Sequence, residues 1–129
     1  MFEHATDWIE LVVRWVHIVT GVTWIGTSFY FNWLNNHVRS SDGLEKGVAG
    51  DLWAIHGGGI YEVAKYRLAP PRMPETLHWF KWEAYFTWIS GFSLLALVYW
   101  LNAETFMVDN SVYPMESWMA VLIGAGTLA

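Results

Sequence analysis

The chain has no cysteine among its 129 residues. That excludes a disulfide framework, a thiolate metal site, a cysteine nucleophile and the covalent attachment of a c-type haem within this stretch. Basic residues are scarce too, seven Lys and Arg against twelve Asp and Glu. With no basic stripe, nothing in the sequence points to nucleic acid. No Lys or Arg precedes Trp8, and none lies between Asn102 and Glu116. The first residues carry Glu3 and Asp7 where a secretory leader carries positive charge, and no small-residue cleavage site follows the first apolar run. That run is therefore read as a retained anchor.

What the chain does have is apolar and aromatic surface: 54% of residues are hydrophobic, 18% are aromatic, and ten are Trp. Trp and Tyr collect at the two faces of a bilayer, so this load predicts a chain solvated by lipid. A first apolar segment runs from about Trp8 to Leu34, long enough to cross a hydrocarbon core of about 30 Å. A second runs from about Lys81 to Ala103, its helix expected to begin near Pro74–Glu75. A third starts at Ser117 and ends at Ala129, too short to cross. The fold class expected is an all-α membrane protein with two full transmembrane helices and a partial third, the whole forming a fragment of one membrane domain. The spans fall at about 8–34, 75–103 and 117–129, joined by loops at 35–74 and 104–116. The protein should continue beyond Ala129.

Arg39, Lys46, Lys65, Arg67 and Arg72 all lie in the first loop. Loops rich in Lys and Arg stay in the cytoplasm, so residues 35–78 are expected inside, with the N-terminus and the second loop in the periplasm. Within that loop, strand formers at 51–56 and 60–68 flank Gly57-Gly58-Gly59, which predicts a short β-hairpin ended by Pro70-Pro71. Trp53 and Ile55 would share a face of it.

The residues that could carry chemistry fall in three places. Arg14 and His17 interrupt the first span, and ionisable groups inside a membrane usually face a partner, a cavity or a cofactor. His17 and Gly21 share a helix face, and the glycine would let a flat cofactor approach. His17 is thus a candidate axial ligand to the iron of a b-type haem, with a structural hydrogen bond across the bundle or a substrate-facing role as the alternatives. His17 and His78 would lie about 20 Å apart along the membrane normal at 1.5 Å per residue, so they should not share an iron. The second place is HWFKWEAY, where His78, Lys81, Glu83 and the neighbouring aromatics form either a polar rim for a flat anionic heterocycle or an interfacial belt. The third is His56 beside the triple glycine, where the glycines more simply make a turn. His4 and His37 are expected to be solvated.

Three strings carry a resemblance: RWVHIVTGVTWIGTSFYFNWLN from Arg14, GDLWAIHGGGIYEVAKY from Gly50 and MPETLHWFKWEAYFTWISGF from Met73. Over nearly its whole length the chain resembles the N-terminal membrane domain of the bacterial membrane-integral urate oxidases, multi-helix proteins often followed by a cytochrome c domain. The resemblance implies oxidation of urate to 5-hydroxyisourate in purine catabolism at the bacterial inner membrane. Electrons would pass to cytochrome c and the respiratory chain, and any c-type haem would lie in a further domain. The fragment alone is expected to be inactive. Arg14, His56, His78, Lys81 and Glu83 are then candidates for substrate or proton handling. A b-type haem electron-transfer subunit and a non-enzymatic transport subunit remain as alternatives.

Overall fold

A computed structural model describes residues 2–128, so Met1 and Ala129 lie outside the described residues, as do the side chains of Phe2 and Glu3. The elements in order are α1 (Phe2–His37), β1 (Val48–His56), β2 (Gly59–Tyr66), α2 (Trp82–Leu94), a π-helical stretch (Leu95–Trp100), α3 (Ala103–Phe106) and α4 (Ser117–Gly126). The chain forms two compact units. One comprises the residues up to Trp24 together with those from Lys81 onward; the other is Ile25–Phe80.

The expectation of an all-α membrane protein with two complete spans and part of a third needs correction. The chain combines helices with a two-stranded antiparallel sheet. Among the described residues only one helix, His4–His37, is long and apolar enough to cross a membrane. The second apolar segment fails as a regular span for two local reasons. Pro70, Pro71 and Pro74 bias the residues before them toward extended backbone, and no helix is established until Trp82, seven residues after Glu75. At the other end the α-helix stops at Leu94 and passes into the π stretch, where Leu101 N–H reaches back five residues to Ala96 O at 2.9 Å. The third apolar segment is a helix of ten residues, Ser117–Gly126.

In the Ile25–Phe80 unit the hairpin forms where the glycines predict it. Gly57 and Gly58 take φ of 57° and 81°. Positive φ at both central residues is what a two-residue type I′ turn requires, and that turn matches the twist of the flanking strands. His56 pairs with Gly59, Ile55 with Ile60, Trp53 with Glu62 and Leu52 with Val63. The strands begin and end earlier than the sequence predicts, at Val48 and Tyr66. The base is pinned to the segment leaving α1: Arg39 and Asp51 exchange backbone hydrogen bonds at 3.1 and 3.0 Å. A Cβ on Gly50 would stand 2.6 Å from the Arg39 carbonyl oxygen, so only glycine permits that approach. Lys65 Nζ donates to Asn35 Oδ1 at 2.7 Å.

In the other unit the buried residues are small. Ser90, Ala103 and Ala120 are each no more than 5% exposed, whereas Trp8, Trp15, Trp88 and Trp118 are each more than 60% exposed. Backbones approach through small residues while the large apolar side chains are exposed.

Candidate functional site

Small side chains on α1 and α2 bring His17 into contact with its partners. Gly21 lies one turn along from His17, and a Cβ on it would meet the Thr87 methyl at 3.8 Å. The space that the sequence assigns to a flat cofactor at Gly21 is therefore used for helix contact. His17 itself is half-buried. Its Nδ1 lies 3.1 Å from Thr87 O and 3.1 Å from Ser90 Oγ. Gly91 faces the ring, and a Cβ there would come within 3.0 Å of Cε1.

The surrounding oxygens fix which ring nitrogen carries the proton. Thr87 O can only accept. The Ser90 hydroxyl has one proton, and its nearest acceptor is Phe86 O at 2.5 Å. Nδ1 is therefore the protonated nitrogen of the neutral ring, donating to the Thr87 carbonyl and to Ser90 Oγ, and Nε2 keeps its lone pair. Among the described residues Nε2 has no hydrogen-bond partner. A histidine that spends Nδ1–H on a backbone carbonyl and presents Nε2 is arranged as metal ligands and catalytic bases are.

A cavity of about 480 Å³ adjoins this ring, lined by Arg14, His17, Gly91, Leu94, Val98 and Tyr99 among others. Part of its wall is the π-helical stretch. Such irregular turns frequently mark functional sites, because the extra residue in the turn redirects side chains. Arg14 reaches the cavity already paired. Its Nε donates to Glu10 Oε1 at 2.9 Å, and a terminal nitrogen makes a second, shorter contact with the same oxygen. This ion pair lowers the cost of holding a guanidinium beside apolar walls.

The remaining sequence-predicted residues do not join this cluster. His56 is exposed at the hairpin turn. His78 is exposed, lies outside any helix and makes an edge contact with Phe80 at 4.5 Å. Lys81 precedes the first residue of α2, its ammonium 5.6 Å from the centre of the Trp82 ring. Trp82 and Tyr85 do meet, edge to face at 6.0 Å. Glu83 is half-buried, and its Oε2 is enclosed without a hydrogen-bond partner among the described residues. His4 is exposed near Asp7, and His37 stacks on Trp33 at 4.4 Å.

Sequence reasoning missed Glu10, Thr87, Ser90, Gly91 and Tyr99. Glu10 was detectable as the acid four residues before Arg14. Thr87, Ser90 and Gly91 were detectable as small or polar residues at i, i+3 and i+4 within a run of large apolar ones. Among the described residues no three His, Cys, Asp or Glu side chains are grouped to hold a metal ion, so a metal at His17 would need other ligands.

These features define a class first: helices that meet through glycine, serine and threonine, and that present one imidazole of fixed tautomer to a cavity. A protein-family model described as "Urate oxidase N-terminal" matches residues 3–129, and the chain belongs to that family. Its function is accordingly related to urate oxidase and oxidoreductive in general character. No curated protein and no solved structure matches the chain.

Proposed function

We propose that the chain is the N-terminal part of a membrane-bound urate oxidase that passes electrons to cytochrome c and the respiratory chain. In the overall reaction urate and one water give 5-hydroxyisourate, two protons and two electrons, so each urate reduces two ferricytochromes c. The chemistry needs a proton acceptor, donors for the urate anion and an electron acceptor. The observation that carries the reading is His17, whose Nδ1 is held by Thr87 O and whose ring lines a cavity that Arg14 also lines. It supplies the first need and part of the second. The third is met by cytochrome c. The fragment alone, without that acceptor, is expected to be inactive.

The membrane part of the reading draws on different support. α1 is long and apolar enough to cross a bilayer. Its Trp side chains point outward, and the first loop holds Arg39, Lys46, Lys65, Arg67 and Arg72 while the residues before Trp8 hold no Lys or Arg. That distribution supports a periplasmic N-terminus and a cytoplasmic loop over residues 35–78 in a bacterial inner membrane. Glu10, Arg14 and His17 then lie in the outer part of the span, on the side where a periplasmic cytochrome would take electrons.

A second reading draws on the same bond from His17 to Thr87. In a b-type haem subunit, Nε2 would hold the iron, and the haem would supply a one-electron carrier. One experiment separates the readings. Membranes containing the full-length protein are given urate and ferricytochrome c, and the absorption spectrum of the purified protein is recorded. Urate-dependent cytochrome reduction that His17→Ala abolishes, with no haem lost, supports the oxidase reading. A Soret band that disappears in His17→Ala, without urate-dependent reduction in the wild type, supports the electron-transfer subunit.

A further inference from the structure

We propose that the cavity beside His17 is the seat of the substrate ring itself. A planar heterocyclic anion would donate a ring N–H to His17 Nε2 and place an anionic oxygen against Arg14. The proposal rests on the urate oxidase reading and names the substrate contacts of that site.

The argument starts from the tautomer. With Nδ1–H directed at the Thr87 carbonyl and Ser90 Oγ, both at 3.1 Å, Nε2 can only accept. The complementary ligand atom is therefore an N–H or O–H. A carbonyl placed there would set lone pair against lone pair. Gly91 holds the ring in this position from one side, since any Cβ would crowd Cε1. Ser90, 5% exposed, holds it from another.

Arg14 supplies the second contact. A guanidinium has five N–H donors in a planar fork. Glu10 takes Nε and one terminal nitrogen, which leaves Nη1 without a hydrogen bond among the described residues. An anionic oxygen can occupy that position without displacing Glu10. His17 lies three residues after Arg14 on α1, so the two side chains stand on neighbouring turns of one face.

The walls complete the selection. Leu94, Leu95, Val98 and Phe106 are apolar, and Tyr99 adds an aromatic ring. A volume of about 480 Å³ lies within the usual range for small-molecule pockets and is ample for a bicyclic purine. Apolar walls with one acceptor and one cationic donor call for a flat ring bearing an N–H and an anionic or carbonyl oxygen. A simple carboxylate offers nothing to Nε2, and a quinone offers only acceptors.

The test measures urate binding to the full-length protein in detergent, without oxygen or any electron acceptor, by titration calorimetry. His17→Ala and the cavity-filling Val98→Trp are each expected to weaken binding roughly tenfold or more. A second measurement covers the case in which a variant fails to fold. In wild-type protein labelled with nitrogen-15 histidine, the unprotonated Nε2 signal of His17, assigned by its absence in His17→Gln, is expected to move when urate is added. Undiminished binding in both variants, or an unmoved His17 signal with urate bound, would overturn the proposal while leaving urate oxidation intact. A haem lost on replacing His17 would give Nε2 to iron and overturn it as well. A wild-type protein that neither binds nor oxidises urate would remove the functional reading on which the proposal stands.

Discussion

The imidazole of His17 lies against the backbone of Gly91, so closely that a Cβ added there would stand 3.0 Å from Cε1 and 3.5 Å from Nδ1. Gly91→Ala should therefore displace the ring by a few tenths of an ångström and loosen its hold on Thr87 and Ser90, at a cost of about 1–3 kcal/mol for a group forced into a filled space. Gly21→Ala provides the contrast, since its nearest neighbour would be the Thr87 methyl at an ordinary 3.8 Å. Thermal unfolding in detergent and urate-dependent cytochrome reduction should fall for the first variant and hold for the second. Equal behaviour of the two would contradict the close approach.

Ser90→Ala tests the hydroxyl at Nδ1. The Thr87 carbonyl remains, so the tautomer should be kept while one buried hydrogen bond is lost. The expected cost is about 1 kcal/mol. Nitrogen-15 spectra should still show Nε2 unprotonated. A switch of the proton to Nε2 would show that Ser90, and not the carbonyl, sets the tautomer.

Arg14→Gln keeps much of the side-chain length and removes the charge. It should raise the KM for urate roughly tenfold, the range for losing a hydrogen bond to a charged group, with a smaller effect on kcat. An unchanged KM would mean that Arg14 serves only its ion pair with Glu10.

The hairpin turn makes an independent prediction. A residue other than glycine, Asn or Asp at Gly57 or Gly58 must adopt left-handed backbone at a cost of roughly 1–2 kcal/mol. Gly58→Val should open residues 48–66 to limited proteolysis, whereas Gly57→Asn should be tolerated, since Asn-Gly suits this turn.

The fold alters the ionisation of Asp109. The Ser111 hydroxyl donates to its carboxylate at 2.6 Å and the Ser111 backbone N–H at 2.9 Å, and these bonds hold its pKa below the ordinary aspartate value. A folded-state pKa lower than the unfolded one gives stability that is present above the unfolded value. That stability is lost as pH falls through the folded value. An NMR titration should place the Asp109 midpoint below that of a free aspartate, and Ser111→Ala should move it upward.

What could be read from the sequence followed how local each determinant is. The hairpin turn was legible because Gly57-Gly58-Gly59 specifies its own backbone. α1 was legible because its apolar run is long and unbroken by proline. The passage from α-helix to π-helix after Leu94 was not, because LALVYW contains no glycine or proline to announce it. The late start of α2 was hidden by reading Pro74–Glu75 as a helix start, when no helix forms before Trp82. At the site, Arg14 and His17 stood out as ionisable groups in an apolar run. Their surroundings did not, because Thr87, Ser90 and Gly91 lie more than seventy residues after Arg14 and only tertiary packing brings them to His17. Gly21 was recognised as a place of close approach, but what approaches it is Thr87.

The π-helical stretch Leu95–Trp100 has one more consequence. A wide turn takes in an additional residue, so the spiral leaves it out of phase with the spiral that entered. Removing a single residue between Leu95 and Trp100 would restore regular winding and swing everything downstream by about 100°, one residue's share of a 3.6-residue turn. Tyr99 and Phe106 would then leave the side of His17, and the deletion would dismantle the cavity without altering any residue that touches the imidazole.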